Sequence, residues 1–168
     1  MREALLTVKN LKTAFQVKGG EVQAVRGISF QLNRGEILGL VGESGSGKSV
    51  ACFSLLRVLP ENGGLTSGGI ALAGQELTAL SEAQMRRIRG KEISMIFQDP
   101  MTSLSPLMTV GRQIEEAYRQ YHPSSSPREA RLEALELLRR VHIPDPLLRY
   151  RAYPHELSGG MRQRVMIA

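Results

Sequence analysis

Gly42-Glu43-Ser44-Gly45-Ser46-Gly47-Lys48-Ser49 matches the pattern G-x-x-x-x-G-K-[ST] at every defined position. The spelling has a chemical reason. Glycines let consecutive backbone N–H groups converge on an anion without Cβ clashes, which makes a concave nest. A helix following such a loop points its positive N-terminal end at the same anion. Lys48 is placed to bridge β- and γ-phosphates, and Ser49 to offer a hydroxyl to Mg²⁺. Gly42, Glu43, Ser44, Gly45, Ser46, Gly47, Lys48 and Ser49 are therefore the candidate nucleotide site. Alone, the loop does not choose between a GTPase, a kinase and an ATPase.

The flanks fit that reading. Residues 36–41 (EILGLV) are a short apolar run, which predicts a strand buried on both faces. Residues 49–59 carry helical periodicity and stop at Pro60. Upstream, alternation over 5–8, 22–25 and 28–32 predicts short strands, with Gly19-Gly20 and Asn33-Arg34-Gly35 as turns. Downstream, Gly63-Gly64 and Gly68-Gly69 bracket a strand and turn, and residues 93–97 read as another buried strand. Ser81 with Gln84 has capping-box form, as has Ser126-Pro127-Arg128-Glu129. From about 107 to 150 the pattern is helical, with Ala130, Ala134, Leu137, Leu138 and Val141 on one face and Pro144 and Pro146 as stops. Strand, glycine loop, helix and later strand predict an α/β core with a helical insertion.

Composition narrows the class. Of 168 residues, 42% are hydrophobic, enough for a core. Cys52 is the single cysteine, so a disulfide scaffold is excluded. No apolar run reaches the ~18 residues of a membrane span, and the charged start does not resemble a signal peptide. The net charge of +6 admits nucleic acid or an anionic surface as a partner.

Two further segments carry a family resemblance. Leu157-Ser158-Gly159-Gly160-Met161-Arg162-Gln163-Arg164 resembles the LSGGQ signature of ABC-type ATPases, with Met161 where Gln is commonest. Ile96-Phe97-Gln98-Asp99-Pro100 resembles their Q-loop, and Phe15 stands where the family places an adenine-stacking aromatic. The segments follow in family order. GESGSGKS, RRIRG, MIFQDPMTSLSP and YPHELSGGMRQRVMIA are more narrowly similar to importers of the dipeptide, oligopeptide, nickel and glutathione group.

The resemblance implies an α/β fold: a P-loop NTPase core of ABC ATPase type, an N-terminal antiparallel β-subdomain and a helical subdomain, with the C-terminal part missing. The implied limits are about 1–106 for β-subdomain and core, 107–156 for the helical subdomain, and 157–168 for the signature. It implies ATP and Mg²⁺ as cofactors. Lys48 and Gln98 would be the catalytic pair, Ser49 and Gln98 the metal contacts, and Phe15 an adenine platform. Ser158, Gly159 and Gly160 form a second helix N-terminus, which in the family meets the ATP of the opposite subunit. The implied partners are a second ABC ATPase subunit or a homodimer, membrane permease subunits reached through residues 101–108 and the helical insertion, and indirectly a periplasmic solute-binding protein. The implied location is peripheral, on the cytoplasmic face of the inner membrane. Seven arginines in and around the insertion (Arg86, Arg87, Arg89, Arg139, Arg140, Arg149, Arg151) read first as a solvated face, and second as partner or lipid contacts.

One expected part is not matched. ATP hydrolysis needs an Asp at a strand end for Mg²⁺ and a Glu beside it to polarise water. The two aspartates, Asp99 and Asp145, stand in the Q-loop and between two prolines. His122, His142 and His155 all precede the signature helix, so none matches the family's switch histidine. The expectation is a chain that binds ATP weakly and does not hydrolyse it alone. Two other readings stay open: a remnant without turnover, and a non-transport ABC protein acting on nucleic acid. Against the latter stand 5% aromatics and no Trp, which leave no stacking surface.

Overall fold

The computed structural model describes residues 3–98 and 103–168. Asp99, Pro100 and Met101 therefore lie outside the described residues. The chain forms two compact units, residues 1–94 and 95–168.

In the first unit, β1 (Ala4–Val17) and β2 (Gly20–Asn33) form a long antiparallel hairpin. The short strands expected from alternation are pieces of these two. Lys18 and Gly19 make the two-residue connection, Gly19 at φ 104°, the positive-φ geometry that hairpin loops favour. The strands β3 (Gly63–Leu72) and β4 (Gln75–Glu76) complete a sheet of order β2-β1-β3-β4. Irregularities coincide on three strands, at Asn10 of β1, Gly27 of β2 and Gly68 of β3. Asn10 adopts φ 46° and donates its N–H to Ser29 Oγ at 2.7 Å. Gly68 lies against it, so close that a Cβ there would fall 2.5 Å from the Asn10 carbonyl. Leu6, Val8, Leu11, Ile70, Leu77, Met85 and Ile88 form the core beneath. Helix α1 (Lys48–Leu56) packs on the sheet, and α2 (Glu82–Ile88) starts at Ser81, whose capping box with Gln84 forms as expected.

Two expected strands are corrected. Residues 36–41 form no strand: Ile37 is 97% exposed and Val41 94%. Among the described residues, 93–97 form no strand, with the isolated Arg89–Ile93 bridge as their ladder contact, and Ile96 and Phe97 are exposed. A strand buried on both faces needs hydrogen-bonded neighbours on its edges. Among the described residues nothing pairs with 36–41. Helix α1 also ends at Leu56, four residues before Pro60, because Arg57 turns left-handed (φ 53°) and closes it.

The second unit is helical: α3 (Val110–Tyr121), α4 (Pro127–Arg140), α5 (Pro146–Arg151), a 3₁₀ turn (Pro154–Glu156) and α6 (Gly159–Ile167). Ser126 and Glu129 form the expected capping box at the start of α4. Ala130, Ala134 and Leu138 of the expected face are buried, joined by Leu135. Pro144 and Pro146 do not stop this helix, which already ends at Arg140; Pro146 opens α5, where its missing N–H costs nothing. Val110, Ile114, Ala134, Leu138, Ile143, Ala152, Leu157 and Val165 form the core. Among the described residues no helix is long and apolar enough to cross a membrane.

Candidate functional site

The loop 42–49 is built from left-handed glycines and an uncapped helix start. Gly45 and Gly47 adopt φ 77° and 87°. Gly47 is the N-cap of α1; no side chain caps the helix, and its first turn holds no acid. The first-turn N–H groups of α1 thus keep their positive potential for an external anion. Only glycine fits position 47. A Cβ there would stand 2.3 Å from the Ala24 carbonyl oxygen of β2, so the tight seat of the loop on β2 requires hydrogen at that carbon.

Lys48 is turned into the loop. Its Nζ donates to the Gly42 carbonyl at 2.7 Å, the Glu43 carbonyl at 2.5 Å and Ser46 Oγ at 3.3 Å. The Ser46 N–H also points to the Glu43 carbonyl, at 3.2 Å. The donors that would hold a phosphate here close the loop on itself. A phosphate fits this set: it offers an ammonium and backbone donors stronger, charge-assisted partners than carbonyl oxygens. Ser49 is the second residue of α1 and exposed, so its hydroxyl can reach a cation held by phosphate oxygens. Among the described residues no group of three or more His, Cys, Asp or Glu could hold a metal alone.

Beside the loop lies a cavity of about 760 Å³, lined by residues 22–28 of β2, by Leu40 to Gly42 and by Gly45, Ser46, Gly47, Lys48 and Ala51. Phe15 is not among its lining residues. Its ring instead covers Gly63 across the β1–β3 ladder, where a Cβ would fall 2.4 Å from Cε1. The residues that sequence reasoning missed are Ala24, which seats Gly47, and Arg26, which brings a second cation to the cavity wall. Neither had a signal in the local pattern.

The other expected site residues belong to the second unit. Gln98 is exposed. Ser158 N-caps α6 as expected, its Oγ accepting the Met161 N–H at 3.3 Å. Gly159 and Gly160 are exposed with open space around them, so their backbone can be approached closely. Arg162 Nε donates to the Pro154 carbonyl at 2.6 Å and Arg164 Nη1 to the His142 carbonyl at 2.9 Å, tying α6 to the segments before it. Gln113 of α3 bonds the Ser105 N–H and the Ser105 and Met108 carbonyls, fixing the segment after the Q-loop. Arg86, Arg139 and Arg140 pair with Glu82 or Glu136 of their own helices, as on a solvated face, whereas Arg89 also pairs with Glu82 but is only 20% exposed and turns inward.

The family model for ABC transporters matches residues 25–168. The chain belongs to the ABC transporter family. Among ABC proteins it is 54% identical over 99% of its length to a probable peptide ABC transporter ATP-binding protein, y4tR, of Sinorhizobium fredii, covering 50% of that protein. It is 52% identical over 98% of its length to the oligopeptide transport ATP-binding protein OppD of Bacillus subtilis, covering 46% of it. The chain thus spans about half the length of these curated relatives. Its fold is that of ABC cassettes: the dimeric structure of MJ0796, a bacterial ABC transporter cassette, superposes with a TM-score of 0.83 at 25% identity, over 96% of this chain and 67% of that one. The expected α/β class of ABC ATPase type, with its antiparallel sheet and its helices, is therefore correct.

Proposed function

We propose that this chain is the ATP-binding part of an ABC importer of peptides or similar small solutes, one of a pair of cassettes working on membrane permeases. The observation that carries the reading is the phosphate loop itself: a bare helix N-terminus, two left-handed glycines and Lys48 already folded among the loop carbonyls. The peptide class rests on the relatives, which are peptide and oligopeptide transport ATP-binding proteins by name.

Bound MgATP supplies the phosphoanhydride whose binding and cleavage drive such a transporter. The chain's residues do the following. Lys48 exchanges the Gly42 and Glu43 carbonyls for phosphate oxygens. The backbone of Gly45 to Ser49 wraps the phosphates, and the α1 dipole favours their charge. The Ser49 hydroxyl would serve the metal; the roles of Gln98 toward metal and water and of Phe15 toward the base rest on the family resemblance alone. The exposed N-terminus at Ser158, Gly159 and Gly160 meets the nucleotide of a second cassette, head to tail. The loop after Gln98 and the helical segment carry that closure to a permease at the cytoplasmic membrane face. The reading assigns ATP binding to this chain and leaves the water-activating carboxylate unassigned.

Titration of the purified chain with a fluorescent ATP analogue and Mg²⁺ tests this. Saturable binding that Lys48→Ala weakens by about tenfold or more is expected. Absent binding, or binding indifferent to that change, overturns it.

A further inference from the structure

Helix α1 holds the phosphate loop at one end, and its other end has an unusual fastening. The Arg57 and Val58 N–H groups bond the Ser54 and Phe53 carbonyls at 3.1 Å each, closing the last turn around the left-handed Arg57. That leaves the Leu56 and Arg57 carbonyls pointing off the helix end, and the last turn has no basic residue of its own. Arg89, 33 residues later, fills the gap. Its Nε donates to the Leu56 carbonyl at 2.6 Å and its Nη2 to the Arg57 carbonyl at 3.0 Å. Its outer face is held by Glu82, which accepts from Nη1 at 2.5 Å and from Nη2 at 3.2 Å. The Arg89 side chain is only 20% exposed. Arg57 reaches the other way, donating to the Leu77 and Leu80 carbonyls at 3.0 and 2.6 Å. Hydrogen bonding to Arg89 holds the Glu82 carboxyl below its ordinary pKa, so the orienting charge persists at neutral pH.

We propose that Arg89, oriented by Glu82, is a positioning residue for nucleotide: it clamps the carboxyl end of α1 and thereby fixes where Lys48 and Ser49 stand at the amino end. Nine residues make a short rod of ~13 Å, so a tilt allowed at one end is passed on to the other. A guanidinium suits the task because one planar group bonds two carbonyls and a carboxylate at once and adds positive charge at the negative end of the dipole. Lysine offers a point charge that cannot hold this fork. The inference rests on the ATP-binding reading above.

The test uses the full chain with Arg89→Ala, Arg89→Lys and Glu82→Gln, the last keeping the guanidinium but loosening its orientation. Affinity for the fluorescent ATP analogue is measured well below each variant's melting temperature, with amide hydrogen exchange followed over residues 42–58. Expected are a loss of affinity of about tenfold for Arg89→Ala, a smaller loss for Glu82→Gln, poor rescue by lysine, and reduced nucleotide-induced protection at residues 45–49. A purely structural role would lower melting temperature and loosen residues 53–58 while affinity and loop protection in the folded protein stayed at wild-type levels; that result overturns the proposal. If Arg89→Ala does not fold, Glu82→Gln and Arg89→Lys decide it in the same way. If the wild-type chain binds no nucleotide, both the functional reading and the clamp fall. If it binds and no variant changes affinity, the clamp alone falls.

Discussion

Thr13 on β1 and Ser54 on α1 share a hydroxyl–hydroxyl hydrogen bond of 2.8 Å with neither side chain exposed to solvent. Ser54 Oγ also donates to the Val50 carbonyl at 2.7 Å. A serine has one hydroxyl hydrogen, so Thr13 is the donor in the shared bond. This pair, and not apolar contact alone, registers the phosphate-loop helix on the sheet.

Replacing one partner strands the other. Ser54→Ala removes the acceptor of a buried hydroxyl and should cost about 1–3 kcal/mol. Thr13→Val with Ser54→Ala should cost much less than the two single changes summed, because no buried polar group remains. Urea unfolding of the three variants measures the coupling.

Gly47→Ala meets two obstacles together: a φ of 87° and a Cβ placed 2.3 Å from a backbone oxygen. The loop must move off β2, so ATP-analogue binding should fall below detection, with about 1–3 kcal/mol of stability lost. Gly45→Ala meets strain at φ 77° but open space, so it should cost less in stability. Thermal melts and binding titrations separate the two.

In the helical unit the Tyr150 hydroxyl donates to Glu115, which also accepts from Arg119 at 3.1 Å, and Arg131 lies 5.4 Å from the Tyr150 ring centre. Burial and the bonded Glu115 carboxylate push the Tyr150 pKa from 10 up to about 12. The native state therefore holds this proton more tightly than the unfolded chain. The stabilisation is complete below pH 10 and is lost as pH rises to about 12. Tyr150→Phe should cost about 1–2 kcal/mol at neutral pH, a deficit that shrinks through that window. Urea midpoints of both proteins across the window check the sign.

Gly111 lies under the same ring: a Cβ would fall 2.2 Å from Tyr150 Cδ2. Gly111→Ala improves helix propensity yet must displace the tyrosine, so a net loss of about 1–3 kcal/mol is expected. Gly111→Ala combined with Tyr150→Leu should recover part of it. Melting temperatures decide.

Ser126→Ala removes half of a capping box whose other half is Glu129 bonded to the Ser126 N–H at 2.7 Å. A cost of about 1 kcal/mol is expected, read from urea midpoints. The change should leave nucleotide affinity untouched.

These residues divide by how far along the chain their reasons lie. The internal bonds of the loop 42–49, the boxes at Ser81 and Ser126 and the cap at Ser158 join atoms within six residues, so spelling alone announces them. Residues 36–41 and 93–97 have the spelling of buried strands but lie open, because pairing is decided by other strands and not by the run itself. Gly47 against Ala24, Phe15 over Gly63, Thr13 with Ser54 and Arg89 at the end of α1 join residues 23 to 48 apart in sequence. Hydrophobic period and turn chemistry are local signals that say which segments become helix and strand and where an anion can sit. Which carbonyl a guanidinium caps, and which glycine has no room for a methyl group, follow from packing between distant segments and emerged only when the chain was folded.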